Sequence, residues 1–169
     1  GDIALQSTFE IDECETFGQV YERMIHHGTQ LLKEFLIKYP LPLIPQNHSL
    51  ATYAPKITKE DLYVDFSKPA IVVRNKIRAY DPTPGARARM GKFVVKLFGA
   101  CGIEEIPTSL LRATEIGQIL KINKDGALIK TMNDGLWVKY LQFPGRGKIS
   151  FIDAKNGGLV IEEMKLEVV

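Results

Sequence analysis

Cationic side chains are concentrated in residues 74–97, on both sides of a corner that contains two prolines. Residues 56–96 carry ten basic and four acidic side chains, a net charge of +6, although the whole chain carries only +2. Such crowding favours a partner made of phosphates, while composition alone slightly favours a solvated hairpin rim. The candidates for phosphate contact are eight basic residues around the corner, with three more behind them: Lys68, Arg74, Lys76, Arg78, Arg87, Arg89, Lys92 and Lys96, then Lys139, Arg146 and Lys148.

The corner at residues 81–85 must join a helix to a sheet. Pro82 and Pro84 cannot continue a helix, and each favours extended backbone in the residue before it. Gly85 can supply a left-handed turn at little cost. Before the corner, apolar side chains at helical spacing predict a short helix, with Ser67 as its N-cap and Pro69 in its first turn. Residues 62–66 alternate as a short strand.

The pattern after the corner is all-β. Apolar runs at residues 118–122, 127–132 and 136–143 are separated by two Asp-Gly turns, which are strong hairpin signals. A short helix is predicted at residues 149–155. Several short strands with this turn chemistry favour a small OB-like β-barrel. Trp137 and Tyr140 could stack bases, although filling of the barrel is the favoured role for both.

The first 40 residues predict one strand and one long helix. Residues 4–11 alternate as a strand does, and Thr16 with Gln19 fits a capping box. The helix that follows is amphipathic over residues 16–38 and needs a partner, which a single strand cannot supply. This pattern is typical of the end of an α/β domain. The overall prediction is an α+β chain with residues 1–40 as that remnant, 41–60 as a proline-containing linker, and 61–169 as the barrel.

Other features narrow the possible chemistry. Cys14 and Cys101 make no disulfide framework, so a reduced, cytoplasmic compartment is expected. No apolar run is long enough to span a bilayer, and no secretory signal is present. His26 and His27 are adjacent on a helix and point in different directions, so no metal site is expected. The Asn47-His48 pair could stabilise an oxyanion, but a polar loop is strongly favoured.

Taken together, several motifs make the chain resemble methionyl-tRNA formyltransferases, from the end of their catalytic domain to their C-terminus. No single motif is diagnostic, but their order and spacing cover nearly the whole chain. The closing residues 158–169 are less like the family. The matching segments are Gly1-Asp2-Ile3, residues 50–60, 65–70 and 75–80, the corner at 82–85, Lys124-Asp125-Gly126, Gly135 and residues 141–150.

The resemblance implies a two-domain enzyme of translation initiation. A Rossmann-like domain would bind 10-formyltetrahydrofolate, and a C-terminal barrel would hold the initiator tRNA, whose methionine α-amine accepts the formyl group. The family's catalytic residues are Asn, His and Asp. Only the aspartate is implied here, as Asp2, a carboxylate that orients the histidine and helps to take the proton from the amine. The segment with Asn and His is absent, so the chain alone is predicted to be inactive.

Two other interpretations remain open. Sugar-nucleotide N-formyltransferases share the Gly-Asp-Ile region and a related C-terminal part, although residues 78–85 and 141–150 fit the tRNA enzyme better. A stand-alone RNA-binding barrel without enzymatic function is the second alternative. The amphipathic helix at 16–38 argues against it, because that helix needs a sheet which this chain does not contain.

Overall fold

The computed structural model describes the whole chain, Gly1 to Val169, as an α+β protein. Its helices are α1 (Phe17–Lys38), α2 (Ala70–Ala79), α3 (Thr108–Ala113) and α4 (Phe151–Asn156). Its strands are β1 (Ala86–Met90), β2 (Phe93–Glu105), β3 (Ile119–Asn123), β4 (Gly126–Lys130), β5 (Asp134–Gln142), β6 (Lys148–Ser150) and β7 (Leu166–Glu167). Single 3-10 turns lie at His48–Leu50 and Glu60–Leu62.

The seven strands form one antiparallel sheet. Its order is β3-β4-β5-β2-β1-β7, and β6 pairs with the end of β5. The C-terminal segment also bonds to β3, because the amide of Ile119 donates to the carbonyl of Met164 at 2.8 Å and that of Leu166 donates to Gly117 at 2.9 Å. The C-terminal residues therefore pair with β1 as β7, at one end of the strand order, and also bond to β3, at the other end.

Alternation along β1 decides which side chains face the core. Ala86, Ala88 and Met90 are buried, whereas Arg87 is half-buried and Arg89 is exposed on the outer face. This is the period of two that a pleated strand imposes. The core is a cluster of 22 buried residues drawn from the sheet, α2, α4 and the segments between them.

Helix α1 forms as predicted but buries none of its side chains within this chain. The capping box is present: the Thr16 amide donates to Gln19 Oε1 at 2.9 Å, and the Gln19 amide donates to Thr16 Oγ1 at 3.4 Å. The helix nevertheless contains no buried residue. Its exposed apolar side chains are Phe17, Tyr21, Met24, Ile25, Leu32, Leu36 and Ile37. An apolar stripe of this length is normally covered by another element.

The strand predicted at residues 4–11 is wrong. Only Ile3 makes sheet-like contacts, through hydrogen bonds of 2.8 and 2.9 Å with Ile44 in the linker. The remaining residues lie along α1, where the Phe9 ring stacks on His27 with centroids 4.8 Å apart. A strand needs a neighbour for its backbone groups, and the first 40 residues offer none.

The segment before α2 also differs from prediction. Residues 62–66 form the end of a 3-10 turn and one bridge from Tyr63 to Arg87, although their apolar side chains are buried as expected. Pro69 occupies the N-cap of α2, and the Ser67 hydroxyl instead donates to Asp65 at 2.6 Å. Short polar side chains often choose such local bonds over a helix cap.

The three strands predicted at residues 118–122, 127–132 and 136–143 and the helix predicted at 149–155 are confirmed to within two residues, as β3, β4, β5 and α4. Both Asp-Gly turns connect antiparallel neighbours, β3 with β4 and β4 with β5. The C-terminal helix α4 begins at Phe151, after Ser150, whose hydroxyl accepts from the Asp153 amide at 3.1 Å. No helix combines the length and apolar character needed to cross a bilayer.

Candidate nucleic-acid interface

Two of the predicted cationic residues hold the N-terminal segment rather than face solvent. Arg74 on α2 is buried and pairs with Glu13 at 3.1 Å, and Arg78 one turn later donates to the backbone carbonyl of Glu13. A buried guanidinium that already has a carboxylate partner is not available to a polyanion. We therefore exclude Arg74 from the candidate interface, and Arg78 is oriented toward the same segment.

The contacts between the N-terminal segment and the rest of the chain form a junction, and the proline corner is its second part. The Asp81 carbonyl accepts from the Gly18 amide at 2.9 Å, and its carboxylate accepts from the Gly99 amide at 2.7 Å. A Cβ on Gly18 would lie only 2.5 Å from Pro82 Cδ, so only glycine permits this approach. The corner therefore fixes the start of α1 against β2, which is a structural role.

A disulfide bond completes the junction, contrary to the sequence-based expectation. Cys14, just before α1, is bonded to Cys101 on β2, with Cα atoms 4.8 Å apart and a sequence separation of 87 residues. Two cysteines so far apart give no spacing pattern that would predict pairing. The bond ties the N-terminal segment covalently to the sheet.

Three candidates lie in a row on the outer face of the sheet. Arg87 on β1 is opposite Lys96 on β2, Lys96 is opposite Gln142 on β5, and Gln142 is opposite Lys148 on β6. Neighbouring strands are about 4.8 Å apart, so the row extends roughly 15 Å across four strands. None of these three cations forms an ion pair with a carboxylate. We call Arg87, Lys96 and Lys148 the cationic row.

A shallow cavity of about 300 Å³ lies along this row. Arg87, Lys96 and Gln142 supply its polar wall, and Phe143 with Pro144 supplies part of its apolar wall. The Nε atom of Arg87 is buried and has no hydrogen-bond partner. A donor left without an acceptor is unusual in a folded protein, and an anion bound to this guanidinium would offset the cost of burying it.

Tyr140 extends the row, and the prediction that Trp137 and Tyr140 fill the barrel is wrong. Both are only half-buried on β5, and the Trp137 indole N–H donates to Glu104 at 2.8 Å on the outer surface. The Tyr140 ring has the ammonium of Lys148 within 5.2 Å of its centroid and that of Lys139 within 5.5 Å. Cations held against an aromatic ring form a surface suited to nucleic-acid backbones and bases.

A larger cavity of about 650 Å³ adjoins the first. Phe143 and Pro144 line both cavities, so the two share a rim. Phe93, at the tip of the β1–β2 hairpin, lines the larger one together with Lys92 and Arg146. The Phe93 and Phe143 rings meet edge to face at 5.7 Å.

The other candidates lie beside acidic groups. Lys68 is 3.8 Å from Asp65, and Arg89 is opposite Glu167 across the β1–β7 pair. A hydrogen bond from the Ser67 hydroxyl is the main cause of the lowered pKa of Asp65, and the charges of Lys68 and Lys76 also lower it. With acidic groups this close, Lys68 and Arg89 contribute less to a positive surface than the cationic row does.

Asp2 lies outside this interface. It is exposed at the N-terminal end, next to the contact between Ile3 and Ile44. The Asn47-His48 segment forms a short 3-10 turn in which Asn47 accepts from the Ser49 amide at 3.0 Å. The prediction of a polar loop for this segment is confirmed.

Three residues that line these cavities were not among the predicted candidates: Gln142, the exposed Phe93 at the hairpin tip, and Phe143, which is buried in the core cluster. The two phenylalanines follow the apolar pattern of strands, which suggests burial. The available signal was the proximity of Phe93 to Lys92 and Lys96, since aromatic residues interleaved with cations are typical of nucleic-acid-binding surfaces.

Residues 56–166 match the family model for the formyl transferase, C-terminal domain. Because this match covers more than half of the sequence, the chain belongs to the formyl transferase C-terminal domain family.

Similar proteins extend the likeness beyond that domain. A methionyl-tRNA formyltransferase of Fervidobacterium nodosum is 58% identical over 164 residues, which are 97% of this chain and 53% of the relative. One from Thermotoga maritima is 48% identical over 170 residues, covering 99% of this chain and 52% of the relative. The chain thus spans about half the length of the curated relatives it matches.

Solved structures show a similar fold. HypX from Aquifex aeolicus, in a six-substitution variant, has a TM-score of 0.69 and 21% identity over 96% of this chain and 29% of its own. HypX in complex with tetrahydrofolic acid gives a TM-score of 0.67 at 22% identity, over 94% of this chain and 27% of its own. At this level of identity the likeness concerns the fold alone.

Proposed function

We propose that this chain is the tRNA-holding part of a methionyl-tRNA formyltransferase. The protein would transfer a formyl group from 10-formyltetrahydrofolate to the α-amine of methionine on initiator tRNA, in the cytoplasm. The observation that carries the proposal is the 58% identity, over 97% of the chain, to a protein of that name. The proposal assigns folate binding to an upstream domain and to no residue of this chain.

The proposed domain boundaries follow from the burial of side chains along the chain. None of residues 1–61 is buried, and the first buried side chain is that of Leu62. We interpret residues 1–40 as the end of the catalytic domain, 41–60 as a linker, and 61–169 as a small OB-like barrel. The hydrogen bonds of residues 163–167 with both β3 and β1 support a closed barrel. The exposed stripe of α1 supports an upstream partner for that helix.

The cationic row is the part of the interface that we assign to the RNA backbone. Side chains cannot read base edges in the deep, narrow major groove of A-form RNA, so contacts with its phosphates position the molecule more than they identify it. Arg87 and Lys96 supply paired cations on adjacent strands, and Lys148 extends the same face. The junction made by Glu13, Asp81 and the disulfide would fix this face relative to the catalytic domain.

Asp2 is the one residue of the chain that we assign to catalysis. The amine must be neutral to attack the formyl carbon, so its proton needs an acceptor, and the tetrahedral oxyanion needs donors. A carboxylate at Asp2 would orient and charge a histidine of the upstream domain. Its exposed position at the N-terminal end leaves it free to meet such a partner.

The test is formylation by a protein in which a formyltransferase catalytic domain precedes this chain. That protein should formylate initiator methionyl-tRNA with 10-formyltetrahydrofolate and leave an amino-sugar nucleotide unmodified. The 169-residue chain alone should give no product but should bind the tRNA. Preference for the amino sugar would contradict the assigned acceptor, and turnover by the isolated chain would contradict the division of labour.

A further inference from the structure

The larger cavity holds features that backbone binding does not explain. Its volume of about 650 Å³ lies within the range of small-molecule sites. Phe93 is 42% exposed, although it belongs to a strand whose next inward residues are fully buried. An aromatic ring kept partly exposed beside a cavity provides a surface for stacking.

Charge in the cavity favours an anionic ligand. Lys92 and Arg146 line it and form no ion pair with a carboxylate. Glu167 is the one acidic residue in the lining, and Lys165, 3.5 Å away, also lines the cavity. The cavity therefore combines an apolar aromatic wall with two uncompensated positive charges.

The position of the cavity connects it to the cationic row. Phe143 and Pro144 form a wall of both cavities, with Arg87 and Lys96 on one side and Phe93 on the other. A nucleic-acid strand whose phosphates lie along the row would pass this rim. Its next unpaired nucleotide would then find an aromatic ring for the base and a cation for the phosphate.

We propose that the cavity beside Phe93 receives the base of an unpaired nucleotide of the RNA whose backbone lies on the cationic row, with Lys92 and Arg146 contacting its phosphate. This inference rests on the proposed RNA-binding function and adds to it a site for one unpaired base. Stacking on an aromatic side chain is tolerant of sequence, because every base has a π-face. The site should therefore recognise single-stranded character rather than a particular base.

The test compares two RNAs with the purified chain. One is a blunt duplex of 12 base pairs, and the other is the same duplex with a four-nucleotide 3′ extension that carries 2-aminopurine. The extended RNA should bind more tightly, and the 2-aminopurine fluorescence should be quenched on binding. Phe93→Ala should weaken binding of the extended RNA by roughly 5- to 150-fold, should abolish the quenching, and should leave the blunt duplex unaffected.

Matched variants separate stacking from folding. Phe93→Tyr keeps the ring and should preserve both affinity and quenching, whereas Tyr53→Ala removes a ring that is 94% exposed in the linker and should change nothing. Arg146→Ala provides a second route if Phe93→Ala does not fold. The backbone of Arg146 makes the local hydrogen bonds, so this loop should keep its shape, and the preference for extended RNA should fall.

Four outcomes would overturn the inference. Equal binding of the two RNAs by the wild-type chain would remove the need for a base site. Unchanged affinity in a folded Phe93→Ala variant would place the base elsewhere. If free adenosine monophosphate binds equally well without RNA, and this binding requires Phe93, the cavity is a free-nucleotide site. If neither RNA binds, the proposed tRNA-holding function fails as well.

Discussion

Loss of the Cys14–Cys101 disulfide should destabilise the chain measurably. The bond joins residues 87 positions apart. Closing a loop of this length lowers the entropy of the unfolded chain, which stabilises the folded state by about 4.6 kcal/mol at 25 °C. Disulfides typically contribute about 2–4 kcal/mol, so a loss of that size is expected for Cys14→Ser. Few contacts replace the bond, because α1 buries no residue and only Glu13 and Gly18 join this segment to α2 and the corner.

Urea unfolding followed by circular dichroism is the assay for this effect. The oxidised wild-type chain should unfold at a higher urea concentration than Cys14→Ser. Reductant should lower the wild-type midpoint to that of the variant and leave the variant itself unchanged. Hydrogen exchange should show reduced protection in α1 first, since that helix loses its covalent attachment. A wild-type midpoint that does not respond to reductant, with the bond verified by mass spectrometry, would refute the reasoning.

Three further predictions concern the sheet, the junction and pH. Gly117→Ala should cost at least about 2–3 kcal/mol in urea unfolding, because the glycine has φ +80° and its Cβ would lie 1.9 Å from a backbone oxygen across the sheet. Arg74→Met should leave tRNA affinity unchanged in a binding titration, since this buried side chain faces Glu13, and a drop would show that it contacts RNA. A hydrogen bond from Lys165 lowers the pKa of Glu115 in the folded protein. The stabilisation from this pair is therefore complete above about pH 4.5, the ordinary pKa of a glutamate, and is lost as the pH falls through the lowered pKa of the folded state. Lys165→Gln removes the pair. The difference in thermal midpoint between wild type and this variant should therefore shrink from about pH 5 toward about pH 3. A difference that stays constant with pH would contradict the stabilising role of the pair.

The local patterns that predicted structure well were those with a complete signal in the sequence. The Thr16 and Gln19 capping box places both partners within one turn, and each Asp-Gly turn needs only its own residues. Such elements form without contacts from distant parts of the chain. The strand expected at residues 4–11 failed because a strand also requires a neighbour, and alternation alone cannot reveal whether one exists.

The candidate interface was only partly predictable for the same reason. The density of positive charge around the corner was visible in the sequence, but the partner of each cation depends on tertiary contacts. Arg74 and Arg87 look alike in the sequence, yet the first is buried and pairs with the exposed Glu13, and the second lies beside Lys96 on the outer face. The helical position of Arg74 on α2 turns it toward Glu13, whereas the register of β1 with β2 places Arg87 beside Lys96, and neither contact follows from composition.

The salt dependence of tRNA binding tests most directly whether the cationic row binds the RNA backbone. Each phosphate contact contributes about 0.7 to 0.9 to the slope of log affinity against log salt. The double substitution of Arg87→Ala with Lys96→Ala should therefore weaken binding of initiator tRNA and reduce that slope by about 1.4 to 1.8. Arg112→Ala with Lys124→Ala removes two exposed charges elsewhere and should leave the slope unchanged. An undiminished slope in the first variant, or an equal reduction in the second, would contradict a backbone-binding cationic row.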